Sequence, residues 1–412
     1  MKNIIIILFS VLMLFSGCSR INKQMQQGKW RGILLIDKTD SRNVLPFIFD
    51  FSKTGTGGME MTIINADEKI KADEVTMKGD SVFIKMPVFK DEIHAKIIRN
   101  DSLAGQYFHF GSKSSYGIPF YATTKQKNRF SETGVKSLID VSGRWETTMQ
   151  PGDSDEYKII GEFRQTGSRV TGTFLTTSGD YRYLEGIAEG NKFLLSCIDG
   201  AHTLLFKAEI TPDGKLDNGV LIGGPAWVEK WQAVKNENAK LPDPEKQSSI
   251  KEGTGIVNFK FKDLNGNDVS LSDKKFAVKN IVLQIMVSWC PNCMDETRLY
   301  SELYKTYKDK GFEFIGLCFE SNNYDESKAR IERFVNQLNA GYTFLYAGEV
   351  GNKQVLTALP FMKDFKGYPT TIYLDKNHKP LKVFTGFSGP GTGEHYEKLK
   401  TEIINYLNSL ES

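Results

Sequence analysis

Residues 280–293 read Asn280-Ile281-Val282-Leu283-Gln284-Ile285-Met286-Val287-Ser288-Trp289-Cys290-Pro291-Asn292-Cys293. The first eight form an almost continuous apolar run, the pattern of a strand buried on both faces, and Pro291 marks the first turn of a helix. Two cysteines three residues apart thus stand where a strand hands over to a helix. One helical turn brings their sulfurs within bonding distance, so the pair can cycle between dithiol and disulfide on a fixed scaffold. Cys290, at the helix N-terminus, faces partial positive charge and unpaired amides, and its pKa is expected to be lowered. Cys293, one turn inside, is shielded and suits a resolving role. The spacing also admits an inert disulfide or half of a zinc site. Zinc would need two further ligands, and the histidines of this part of the chain, His378 and His395, lie far along it in a turn and at a helix start. No metal is expected.

Outward from the motif, 259–271 reads as a hairpin about Asn265-Gly266, 291–308 as a helix and 312–319 as a strand. A helix over 324–338, strands over 370–374 and 381–384, and a last helix over 394–410 complete an α/β pattern spanning 253–412. Residues 235–252 contain almost no large apolar side chain and include Leu241-Pro242-Asp243-Pro244, which reads as a linker.

Before the linker the texture is short alternating runs punctuated by glycine and aspartate. One unit occurs twice. Gln27-Gly28-Lys29-Trp30 returns as Ser142-Gly143-Arg144-Trp145, Gly79-Asp80-Ser81 as Gly190-Asn191-Lys192, His94 as His202, and Asp101-Ser102-Leu103 as Asp213-Gly214-Lys215-Leu216. Two antiparallel all-β modules are expected, over 28–124 and 140–234; periodicity leaves sandwich and small barrel open. His94 and His202 lack a partnering cluster and read as turn or surface residues rather than metal ligands.

At the start, Lys2, an apolar run over 4–15 interrupted by Ser10, and the small Ser16 and Gly17 form an export signal over 1–17. The arrangement resembles a bacterial lipoprotein signal. That likeness implies a lipid on Cys18, a tether over 18–27, a membrane anchor, and a cell-envelope location facing the periplasm. In an oxidising compartment the remaining Cys197, Cys290, Cys293 and Cys318 are far too few for a disulfide-stapled scaffold. Cys197 and Cys318 read as core residues. At 412 residues two or three domains are expected, and Lys+Arg 53 against Asp+Glu 50, with no run of one sign, excludes the footprint of a nucleic-acid binder.

The region from 253 onward resembles the TlpA/ResA thiol-disulfide oxidoreductases, thioredoxin-fold proteins tethered in bacterial envelopes. The resemblance is carried by Trp289-Cys290-Pro291-Asn292-Cys293, by Glu296 three residues later, and by Gly367-Tyr368-Pro369-Thr370-Thr371 before a strand. Gly386-Phe387-Ser388-Gly389-Pro390-Gly391 before the last helix is similar to Bacteroidetes lipoprotein members. The resemblance implies a cis Pro369 beside the cysteines, with Tyr368 backbone pairing to an incoming peptide flanked by Trp289 and Pro291. It also implies that the Glu296 carboxylate approaches the thiols; the alternative is a solvated first-turn glutamate. Two departures stand out. Gln284 occupies the place of thioredoxin's buried aspartate, which removes proton handling by that residue, and Arg298 replaces a proline common in relatives, which touches helix geometry.

The function expected is disulfide reduction or exchange in exported proteins, with Cys290 attacking and Cys293 releasing the mixed disulfide. No cofactor is expected beyond the redox pair itself. The partners would be protein thiols and disulfides, and a redox protein that gives or takes the electrons. Two other readings are a partner- or glycan-binding lipoprotein using Trp30, Trp145, Trp227 and Trp231, with redox chemistry secondary, and a thiol peroxidase. The stretch Gly389-Pro390-Gly391-Thr392-Gly393 lacks a phosphate-loop lysine and reads as helix capping.

Overall fold

The computed structural model describes residues 25–37, 40, 43–55, 57–111, 115–225 and 227–411. The signal segment, Cys18 and residues 18–24 of the tether lie outside the described residues. Among the described residues, no helix is long and apolar enough to cross a membrane.

Both β modules are closed antiparallel barrels. The first runs from the strand Gly28–Leu35 to the strand Ser115–Thr123, and these two close it through the pairs Arg31 with Thr123 to Leu34 with Phe120. Alternation sends every second side chain inward, so Trp30, Phe47, Phe49, Phe51 and Phe120 fill the interior. The second barrel runs from Gly143–Met149 to Val228–Lys235 and closes in the same way, with Lys235 opposite Trp145. Trp145, Phe174, Phe193, Phe206 and Trp231 fill it, with the Phe174 and Phe206 rings stacked 4.5 Å apart. Three of the four tryptophans considered as a binding platform are therefore sealed inside; only Trp227 reaches a cleft.

The repeat is visible in detail. Trp30 Nε1 donates to Gln26 O at 2.9 Å and Trp145 Nε1 to Val141 O at 2.8 Å, and each indole follows a glycine at positive φ, Gly28 or Gly143. One equivalence fails. Ser81 pairs with Lys96 and Phe83 with His94, whereas Lys192 pairs with Glu209 and Leu194 with Lys207. The counterpart of His94 is Lys207, and His202 belongs to the longer loop of the second hairpin.

The C-terminal part has a seven-stranded sheet in the spatial order Asp268–Ser270, Lys260–Asp263, Thr343–Glu349, Phe312–Glu320, Asn280–Met286, Thr370–Leu374, Pro380–Thr385. Every residue of Asn280–Met286 is buried, between a parallel neighbour and an antiparallel one. Helices α1 (Pro291–Tyr307), α2 (Tyr324–Leu338), α3 (Asn352–Ala358) and α4 (Glu394–Ser409) cover the sheet. The strand Thr343–Glu349 and α3 occupy a stretch the sequence pattern left unassigned. Arg298 leaves α1 uninterrupted and bonds Asp295 at 3.2 Å. Cys197 and Cys318 are core residues.

The stretch read as a linker is strapped down. Ala239 packs with Ile160 and Leu175 and accepts from Arg144 Nε at 2.8 Å; Glu245 pairs with Lys382 at 2.6 Å; Ser249–Ile250 pairs with Met362–Asp364. Apart from the small Ala239 cluster, these attachments are backbone and polar, which is why an apolar-residue count misses them. The barrels are also joined to each other. Buried Arg129 donates to Ile64 O at 2.5 Å and to Ser196 Oγ at 3.1 Å, and Asn65 Nδ2 reaches Ile198 O at 2.8 Å.

Candidate active site

The apolar strand Asn280–Met286 delivers the chain to the sheet edge, and Cys290 caps α1 with extended backbone, its Sγ accepting from Cys293 N at 3.2 Å. Cys290 is half-buried and Cys293 fully buried; both are free thiols. A hydrogen bond from the Cys293 thiol holds the Cys290 pKa below its ordinary value against the opposing effect of burial, with help from the Cys293 backbone N–H and from His202. Burial and the adjacent Cys290 push Cys293 well up. The two sulfurs are thus unequal, with thiolate character on the accessible one.

Behind Cys293 lies a buried polar network. Glu296 is 1% exposed, so it is not the solvated first-turn residue considered above. Its carboxylate accepts from Gln284 Nε2 at 2.8 Å and from Thr371 Oγ1 at 2.9 Å, while Gln284 Nε2 also lies 3.4 Å from Cys293 O. Burial pushes the Glu296 carboxyl up to about 7. Tyr342 and Tyr300 donate to Gln284 Oε1 and Thr371 Oγ1 at 2.8 and 2.9 Å, which fixes both partners of the carboxylate. Gln284 does not titrate, yet it holds the group that does.

The Tyr368-Pro369 bond is cis. Tyr368 is half-buried and accepts from Gly351 N at 3.2 Å through its hydroxyl, and burial pushes its pKa up to about 12. Under Ser288 and Trp289 sits Glu320, which accepts from Ser288 N and is pushed up to about 7 by burial.

The second barrel meets α1 at the redox pair. Asn292 Nδ2 donates to Asp180 O at 3.2 Å, and Asp180 Oδ2 accepts from Gly389 N at 2.7 Å. Burial and nearby Asp295 push Asp180 up to about 6. Buried Arg182 bridges Asp295 on α1 and Glu68 of the first barrel. The glycine-rich stretch before α4, read above as capping, does place Gly393 at the N-cap of α4 and serves this contact as well. Gly393 caps α4 without a side-chain bond, whereas a Cβ on Gly389 would lie 2.7 Å from Asp295 Oδ2 and one on Gly386 2.6 Å from Thr177 O. Backbone here abuts the barrel, which leaves no room for side chains. Further along, His395 bonds Glu162 of the second barrel at 3.0 Å, and His378 accompanies Phe276 O at 3.1 Å.

A cleft of about 430 Å³ opens where the three bodies meet, lined by Phe89 and Asp91 of the first barrel, His202 and Trp227 of the second, and Ser288 and Trp289 before the cysteines. Sequence reasoning brought together Trp289, Cys290, Pro291, Cys293, Glu296, Tyr368 and Pro369. It missed Glu320, whose partner Ser288 lies 32 residues away beyond α1, Asp180 and Arg182, whose partners lie more than a hundred residues away, and the Asp199-His202 pair, which meets across a loop. The one local signal was the aspartate-led turn Asp199-Gly200-Ala201-His202.

Residues 251–400 match the Redoxin family. Thiol-disulfide oxidoreductase ResA of Bacillus subtilis (strain 168) is 30% identical over 140 residues, covering 34% of this chain and 70% of that protein. ResA of Bacillus anthracis is 30% identical over 158 residues, covering 38% of this chain and 78% of that protein. Among solved structures, a thiol:disulfide interchange protein DsbE from Chlorobium tepidum gives a TM-score of 0.30 at 24% identity, over 39% of this chain and 99% of that one. A thiol-disulfide oxidoreductase from Bacteroides fragilis NCTC 9343 gives 0.28 at 17% identity, over 35% and 99%.

Proposed function

This chain belongs to the ResA family of thiol-disulfide oxidoreductases, and from that premise we propose that Cys290 and Cys293 reduce or exchange disulfides in exported proteins of the cell envelope. The observation that carries the reading is the inequality of the two thiols. Cys290, half-buried, accepts the Cys293 amide and is held toward thiolate; Cys293, fully buried behind it, is held toward thiol.

In the reductive direction the Cys290 thiolate attacks a substrate disulfide, forming a mixed disulfide and expelling one substrate thiolate. Cys293 then loses its proton and attacks Cys290 Sγ; the intramolecular disulfide forms and the second substrate thiol leaves. Two electrons pass from the pair to the substrate, and an envelope redox protein restores the dithiol. Glu296, with a carboxyl near 7 and bonded through Gln284 to the turn carrying Cys293, is the acceptor for the Cys293 proton. Tyr368 and Pro369, with Trp289 and Pro291, form the substrate side.

Insulin reduction by the full chain tests this. Cys290→Ser should abolish turnover and Cys293→Ser should accumulate mixed disulfides on Cys290; turnover surviving in Cys290→Ser would end the proposal. The lipid anchor on Cys18 rests on the sequence pattern of the signal, and mass spectrometry of the N-terminal peptide from membranes would show whether the acyl chains are present.

A further inference from the structure

We propose that His202 of the second barrel works with Cys290 as the proton donor of the exchange reaction, so that the redox site is completed by a residue outside the thioredoxin-like fold. The proposal rests on the function just given.

The geometry begins with the turn. Asp199, buried, accepts from the backbone N–H groups of Ala201 and His202 through Oδ1 at 2.8 and 2.6 Å, and its Oδ2 lies 3.1 Å from His202 Nδ1. The turn is therefore rigid, and the carboxylate fixes both the ring and its tautomer, with Nδ1–H donating to Asp199. That leaves Nε2, which has no hydrogen-bond partner among the described residues. The ring packs edge-on to Trp227 at 6.2 Å. His202 lines the cleft it shares with Trp289 and also the neighbouring cavity it shares with Pro291 and Asn292, so it stands beside the residues that flank Cys290 on both sides.

The charges facing His202 come from every element around it. Asp199 lies on its own turn, Cys290 on the first turn of α1, and Asp91 on the first barrel, where it is engaged by His109 at 2.9 Å and by the Tyr107 hydroxyl at 2.7 Å. Arg182, in the segment between Gly179–Asp180 and Leu184–Glu189, acts on Asp199, and Lys90 and Arg330 stand along the cleft wall. Burial opposes a charged imidazole, but Asp199 outweighs it and the His202 pKa is raised. The imidazolium in turn favours the Cys290 thiolate.

The chemistry balances without further reagents. Cys290 thiolate attacks one sulfur of the substrate disulfide; the Cys290–substrate S–S bond forms as the substrate S–S bond breaks. The departing thiolate takes the proton from His202 Nε2 and leaves as a neutral thiol, with His202 neutral. The proton is recovered from solvent or from Cys293 as the second bond forms.

The test compares the full chain with His202→Gln and Asp199→Asn. The rate of Cys290 alkylation by iodoacetamide is followed against pH, and turnover is measured on two disulfides, one with an ordinary aliphatic leaving thiol and one with an acidic aromatic leaving thiol. His202→Gln should move the alkylation midpoint upward, lowering the rate below the midpoint roughly three- to tenfold. It should also slow the aliphatic substrate more than the aromatic one, whose thiolate leaves without a proton. Asp199→Asn should act in the same direction. A residue that merely holds the turn would lower stability and leave both readouts unchanged. An unchanged midpoint, or equal losses on the two disulfides, overturns the proposal; failure of the redox reading itself would show separately, as turnover retained by Cys290→Ser.

Discussion

The side chain of Asn292, between the two cysteines, donates to the carbonyl oxygen of Asp180 in the second barrel at 3.2 Å, and Asp180 N returns a bond to Asn292 Oδ1 at 3.4 Å. The residue inside the redox motif is thus spent on domain contact. The barrel begins where the chemistry does, and the orientation of α1 at its reactive end is set from outside its own sheet.

Asn292→Ala removes both bonds. Neutral pairs of this kind contribute about 0.5–1.5 kcal/mol each, so urea unfolding should show a loss of about 1–2 kcal/mol. Digestion by a protease should also accelerate between the second barrel and α1.

Arg182 joins Glu68 of the first barrel to Asp295 of α1, and all three side chains are at most 10% exposed. Arg182→Met leaves Glu68 without its cation and Asp295 with Arg298 alone, and should cost about 3–5 kcal/mol. Replacing all three by apolar residues should recover most of that loss, since the desolvation cost disappears with the charges. Equilibrium unfolding of the single and triple variants checks both statements.

Stability should fall as pH rises from about 4 to about 7. Burial raises Glu296 and Glu320 to about 7 and Asp180 to about 6, above their ordinary values of 4.5 and 3.8. The folded chain therefore binds more protons than the unfolded chain between those values. The slope of stability with pH is negative there, and the ionisation penalty is absent below about pH 4 and complete above about pH 7. Glu296→Gln removes one share, on the order of 3 kcal/mol, so the difference in stability between acid and alkaline conditions should shrink. The same variant should shift the pH dependence of mixed-disulfide resolution; an unshifted profile would exclude Glu296 from proton transfer.

Gly386 combines a φ of +88° with a Cβ position 2.6 Å from Thr177 O. Gly386→Val should cost about 1–3 kcal/mol in backbone strain alone and prise the second barrel from the stretch before α4. Small-angle scattering should report a larger radius with secondary structure retained.

The redox pair and its helix were legible because their chemistry is local: an apolar strand, a proline at the helix start, and two sulfurs one turn apart. The α/β order was legible for the same reason, except at 343–358, where α3 is only seven residues long and opens at Gly351 without a side-chain cap. Barrel closure was not legible, since pairing Arg31 with Thr123 depends on how eight strands tilt and stagger rather than on any one strand's pattern. Glu296 was found, but its burial follows from Thr371 and Gln284 arriving on two separate strands. His202 was seen and set aside as a loop histidine, because what gives it significance is a cysteine 88 positions later in the chain.

The filled barrel interiors have an optical consequence. The chain holds five tryptophans. Trp30, Trp145 and Trp231 are shut away from solvent inside the barrels, while Trp289 and Trp227 border the same cleft beside the cysteines. Emission from the first three reports barrel integrity and is blind to electron transfer. Trp289 adjoins Cys290 in the chain, so its emission is expected to respond to the sulfur chemistry, and the molecule carries separate native fluorophores for its scaffold and for its oxidation state.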